Sequence, residues 1–257
     1  MRKNHFPILI LCAALLLSAC GSTEPIHATT LPTPTPVPSS EAVTVPATEP
    51  EQLKFHVPGL SVEDVILYFQ EVSLDAEFTN FGDPSRLQKW DTPICYCIYG
   101  NPTEKDLEIL SDFTQWLNTV GGFPGIYEVQ DPSEANLDIH FCTQQEMVSL
   151  LGENFQYMDG GVTFWYREDR IYDAIICCRT DLSQELRNSV ILEELYNGLG
   201  PVQDTALRAD SIIYSGYSEP QELTEIDRLL LRLLYHPDLQ CGMDADTCAQ
   251  VIRQLYE

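Results

Sequence analysis

Positive charge is what this sequence most lacks. Of 257 residues, 14 are Lys or Arg against 39 Asp or Glu, for a formal net charge of −25. A surface of that sign repels phosphate backbones and anionic headgroups, so no nucleic-acid partner is expected and a bare anionic bilayer is disfavoured. Such charge does supply solubility, with weak attraction for divalent cations or basic peptides as the secondary reading. Histidine is also scarce, at five, and none lies between His140 and His236. There is no phosphate-binding glycine loop, no nucleophile elbow and no internal repeat. The apolar run at 8–17 is too short to span a bilayer as a helix.

That run belongs to an export pattern. Arg2 and Lys3 form a charged leader, and 8–17 is an apolar core of signal-peptide length. Leu17-Ser18-Ala19-Cys20 is similar to the bacterial lipobox. The resemblance implies removal of a signal peptide at 1–19 and a lipid on the Cys20 thiol, which would anchor the protein in the membrane. The expected location is the outer face of the bacterial cytoplasmic membrane. Residues 20–51 are rich in Thr, Pro, Ser, Ala and Glu, with Thr33-Pro34-Thr35-Pro36 at their centre. They cannot bury enough apolar surface to fold, so they read as a disordered tether. About 30 residues at the polyproline rise would reach on the order of 90 Å. The remainder, 52–257, suits one domain.

Within it, Ser61 opens a helix whose stripe is Val62, Val65, Ile66, Phe69 and Val72, with Asp64 at the reciprocal capping position. Residues 93–99 alternate as a strand, Ile94, Tyr96 and Ile98 on one face and Cys95, Cys97 and Tyr99 on the other. Thr103 caps a helix carrying Leu110, Phe113, Leu117 and Val120. Residues 126–129 are a short strand. Leu137, Ile139 and Phe141 alternate with a wetter Asp138 and His140. Residues 162–166 and 171–178 read as a strand pair joined by the charged turn 167–170.

The organising stretch is 189–243. A helix is expected from a cap at Asp181 to a stop at Gly200, with Ile191, Leu192, Leu195 and Leu199 as its apolar stripe. Glu193 and Asn197 lie one turn apart on another face, with Glu194 beside them. After a long loop, Thr224 caps a second helix with core face Ile226, Leu229, Leu230, Leu233 and Leu234. Laid on the metzincin pattern H-E-x-x-H-x-x-G-x-x-H, the chain gives Glu193-Glu194-x-x-Asn197-x-x-Gly200-x-x-Gln203, then Asp204. Asp210-Ser211-Ile212-Ile213-Tyr214 resembles the Met-turn with Ile213 in place of methionine. Leu223-Thr224-Glu225-Ile226-Asp227 resembles the start of the matrixin C-terminal helix, which ends here at Leu234-Tyr235.

The resemblance to these zinc peptidases implies a zincin-like α+β single domain: a mixed sheet with a packed active-site-type helix and a C-terminal helix. Residues 55–256 also resemble a family of uncharacterised bacterial lipoproteins and secreted proteins with a domain of unknown function. By the first resemblance Glu194 holds the catalytic-base position, and Glu193, Asn197 and Gln203, with Asp204, hold the ligand positions. All three histidines are replaced, so zinc is disfavoured and the expected cofactor is none. The expected function is a non-catalytic binding module for an extracellular protein or peptide. The alternative is a hydrolase in which oxygen ligands hold Ca²⁺, Mg²⁺ or Mn²⁺ and Glu194 is the general base.

A third reading uses cysteine. Without Cys12 and Cys20 seven remain, an odd number. Cys241 and Cys248 bracket a short loop and can form a disulfide. Cys95, Cys97, Cys177 and Cys178, with His140, can form a metal or thiol site, or be small core side chains.

Overall fold

The computed structural model describes residues 55–74, 86–201, 203–216 and 218–256. The expected signal peptide, Cys20 anchor and tether lie outside these residues. In chain order come α1 (Val62–Leu74), β1 (Lys89–Trp90), β2 (Ile94–Gly100), α2 (Glu104–Leu117), β3 (Ile126–Glu128), β4 (Leu137–Cys142), α3 (Gln144–Leu151), β5 (Gly160–Arg167), β6 (Arg170–Arg179), α4 (Gln184–Asn197), α5 (Glu225–Leu234) and α6 (Ala245–Leu255).

The strands make one mixed sheet in the order β1-β6-β4-β2-β3, all parallel, with β5 antiparallel to β6. Parallel neighbours need crossovers, and α2 supplies the one from β2 to β3. β5 and β6 are joined by Glu168 and Asp169, both at positive φ (50° and 61°). That is the primed-turn conformation whose twist matches a hairpin. On its other side β5 has no strand partner among the described residues.

The two faces of the sheet differ. Ile94, Tyr96, Leu137, Ile139, Phe141, Ala174 and Ile176 point into the main core with α2, α4 and α5. The other face carries a small second core of Cys142, Met147 and Cys177, under α3. α3 was not expected from the sequence, although Thr143 and Glu146 form a capping box at its start.

Two boundaries of the central helix need correction. Its cap is Ser183, whose Oγ accepts from the Leu186 amide at 3.3 Å. Asp181 instead pairs with Arg179 through two hydrogen bonds. The helix ends at Asn197, and Gly200, at φ +127°, makes the turn beyond it. A Cβ at Gly200 would lie 2.6 Å from the Gln88 carbonyl oxygen, so the chain passes too close there for any side chain.

α5 was read correctly: Ile226, Leu229, Leu230, Leu233 and Leu234 are all buried. Burying one leucine contributes about 1.5–3 kcal/mol. Asp227 does two tasks from full burial. Its Oδ2 accepts from the Thr224 amide and hydroxyl at 2.9 and 2.8 Å, and its Oδ1 accepts from the Ser211 hydroxyl at 2.7 Å. The helix start is thereby tied to the turn at 211–213, which is itself buried. At the far end, Lys89 is buried and its Nζ donates to the carbonyls of Leu234 and Leu239. A cation suits the negative end of a helix, and burial holds its pKa down at about 8.

Candidate functional site

α4 is buried on nearly every side. Arg187, Asn188, Ser189 and Glu194 are as enclosed as its leucines. The amphipathic reading therefore fails for this helix. Glu194 is 7% exposed, not on a solvated face. Its side chain lies against Gly160 at the start of β5. A Cβ on Gly160 would come within 2.6 Å of Glu194 Oε1 and 2.5 Å of Val190 Cγ1. The absence of a side chain there lets the edge strand and the helix close on the carboxyl group.

No hydrogen bond and no ion pair holds Glu194 or Glu193 among the described residues. Burial pushes the Glu194 carboxyl well above the usual carboxylate range, and the charges of Glu193 and Asp204 push the same way. Glu193 is raised to about 7, by burial first and then by Asp204 and Asp159. Like charges cannot all ionise in a desolvated site, so the glutamates titrate as a coupled pair that keeps protons into the neutral range.

The other expected positions are placed unequally. Asn197 is one turn beyond Glu193, and its Oδ1 is buried without a hydrogen-bond partner. Asp204 is exposed, but its charge reaches both glutamates. Gln203 turns aside, its Nε2 donating to the Asp204 carbonyl at 3.3 Å and its amide donating to the Val72 carbonyl.

The donor set does not fit zinc. Zinc peptidase sites rest on imidazoles. His140 is on β4 stacked on Tyr99, with centroids 4.5 Å apart, and His236 follows α5. Among the described residues, no three His, Cys, Asp or Glu side chains converge as a metal site.

Residues 63–254 match a family described as a protein of unknown function, DUF2927. The chain belongs to the DUF2927 family. No curated protein matches it.

The opposite end of α4 in this DUF2927 domain is built differently. Asp106, fully buried on α2, accepts from Arg187 Nε at 3.0 Å, Gln184 Nε2 at 2.7 Å and the Thr103 amide at 2.8 Å. Arg187 also donates to the Thr180 carbonyl and to Gln184 Oε1. Every charge there has a partner. Sequence reasoning missed this network and the role of Gly160. Thr103-x-x-Asp106 was legible as a cap, but nothing local points from Asp106 to a residue 81 positions away.

Seven cysteines lie among the described residues, all as free thiols and five of them buried. Cys241 and Cys248 are not paired. The loop they were expected to close is partly helix: Asp244 caps α6, and Cys248 is buried on its core face. Cys241 lies beside the Lys89 carbonyl, 3.7 Å from its oxygen. Burial raises the Cys248 thiol to about 12 and the Cys178 thiol well above the ordinary range, and the hydrogen bond with Cys142, then burial, raise the Cys177 thiol; a thiol held protonated is a poor nucleophile.

Proposed function

We propose that this chain is a non-catalytic peptide- or protein-binding module on a zincin-like framework, held at the outer membrane face through a lipid on Cys20. The observation that carries the reading is the Glu194 carboxyl, nearly wholly buried among acids with no Lys, Arg or hydrogen-bond donor beside it among the described residues. A general base works ionised and within reach of a water molecule; burial and the neighbouring acids hold this carboxyl toward its protonated form. The edge of β5 without a strand partner among the described residues begins beside it, and an unpaired strand edge pairs readily with an extended peptide. Support for the framework comes from the order of parts: mixed sheet, enclosed helix, glycine turn, buried 211–213 turn and capped last long helix.

The hydrolase alternative has one observation in its favour. Asn197 Oδ1 is a buried oxygen without a partner, one turn from Glu193, as a hard cation would want.

The test offers the full chain a mixed peptide library with Ca²⁺, Mg²⁺ or Mn²⁺, following cleavage and backbone amide exchange. The module reading expects bound peptide to slow exchange along 160–167 with no cleavage. Turnover that disappears in Glu194→Gln while the fold persists would overturn it. Labelling cells with a palmitate analogue tests the anchor, which Cys20→Ser should abolish.

A further inference from the structure

The sheet face away from α2 and α4 is covered by α3 at one end, and over β2 it is closed, because Cys97 is buried there and its Sγ donates to the Val129 carbonyl. Toward β5 and β6 it is exposed and has a definite chemistry. Register places Cys97 beside Asp138 and Tyr99 beside His140. Asp138 is in turn beside Ile175. On β5, Thr163 faces Ile175 and Trp165 faces Asp173, while Cys95 faces Tyr127 at the other edge. Five aromatic side chains are exposed among the described residues; register puts Trp165 on this face at 42% exposure and Tyr127 at the far edge, and Tyr172, next to Asp173 at the bulge, is 47% exposed under the Arg167 guanidinium. Exposed aromatics gathered on one surface mark a contact site more strongly than scattered ones.

Charge selects the occupant. Asp138 and Asp173 stand within the face, and Glu128, Asp131 and Glu134 border it closely enough for their fields to reach the Cys97 thiol. Two basic groups stand at its margin, Arg170, which is paired with Asp91, and Arg167, which lies 5.7 Å over the Tyr172 ring. That contact shows in miniature what the face can accept. We propose that this face docks a basic partner, an extended segment whose Lys or Arg side chains settle over Trp165 and Tyr172 beside Asp173 and Asp138. Cations gain both from aromatic faces and from carboxylates. Of the chain's own undescribed segments, 20–51 and 75–85 do not complement it, since they contain acids and no Lys or Arg. A second copy, at −25, repels. This surface is a face of the sheet, not the β5 edge beside Glu194, and does not rest on the function proposed above.

The test measures binding of a fluorescent oligolysine peptide to the full chain, with oligoglutamate as control. Net charge alone attracts cations everywhere, so two double variants of equal charge are compared. Asp138→Asn with Asp173→Asn alters the face; Asp112→Asn with Glu222→Gln alters a groove elsewhere. Trp165→Ala removes an aromatic without changing charge. The proposal expects the first double variant and Trp165→Ala each to weaken binding by about tenfold or more, with the groove variant near wild type. Thermal melts confirm that each variant is folded. Equal weakening by both double variants, an unaffected Trp165→Ala, or no oligolysine binding at low salt would overturn it.

Discussion

The two ends of α4 bury acid by opposite means. At its N-terminal end Asp106 meets Arg187, and each hydrogen bond of the pair is completed by Thr103, Thr180 or Gln184. At its C-terminal end Glu193 and Glu194 meet only other acids. Both ends face the same core, so the difference is not one of depth. A buried charge is tolerated when its desolvation is offset by a partner; without one, the group takes a proton. The first end fastens α2 to α4. The second costs stability, and it lies against Gly160 at the start of β5.

The largest effect should come from breaking the satisfied end. Arg187→Met strands Asp106 in the core and is expected to cost about 3–5 kcal/mol. Urea unfolding would read this as a lower midpoint at unchanged slope. Pairing it with Asp106→Leu should recover much of the loss.

Next comes the close approach at the other end. Gly160→Ala drives a methyl into Val190 and Glu194, at an expected cost of about 1–3 kcal/mol. Thermal melts would show it.

Protonation gives a smaller effect with a definite sign. Both glutamates hold their protons more tightly folded than unfolded. The stability tied to them is therefore full below the ordinary glutamate pKa and is lost as pH rises through about 7. Unfolding free energy should fall between pH 5 and pH 8. Glu194→Gln should leave pH 5 nearly unchanged and raise stability at pH 8 by on the order of 1–2 kcal/mol. A variant as pH-sensitive as wild type would contradict this.

The smallest effect is at the orphan oxygen. Asn197→Leu removes a buried acceptor that has no donor and should change stability by less than about 0.5 kcal/mol, or increase it. Titrating the wild type with Ca²⁺ or Mn²⁺ sharpens the same point: stabilisation that Asn197→Leu abolishes would favour the cation reading.

Much of this fold is legible because helices with one wet side and strands with a two-residue period announce themselves. The stripes of α1, α2 and α5 and the hairpin of β5 with β6 follow from spacing and caps. α4 does not, because burial on all sides erases the period that marks a surface helix. Glu194 therefore reads as solvated in sequence and is enclosed in space. α6 was hidden by the two cysteines around its start, whose spacing suggested a closed loop over the Asp244 cap. Gly160 and the pairing of Asp106 with Arg187 are products of the third dimension. No local pattern carries them.

The most direct test of the central contrast is a ¹³C NMR titration of the glutamate side-chain carboxyl carbons, with Glu194 assigned through Glu194→Gln. The account predicts a Glu194 carboxyl still protonated at neutral pH, with Glu193 titrating near 7. A Glu194 carboxyl that ionises in the ordinary range, near 4.5, would mean that something neutralises it. The contrast between the two ends of α4 would then fail.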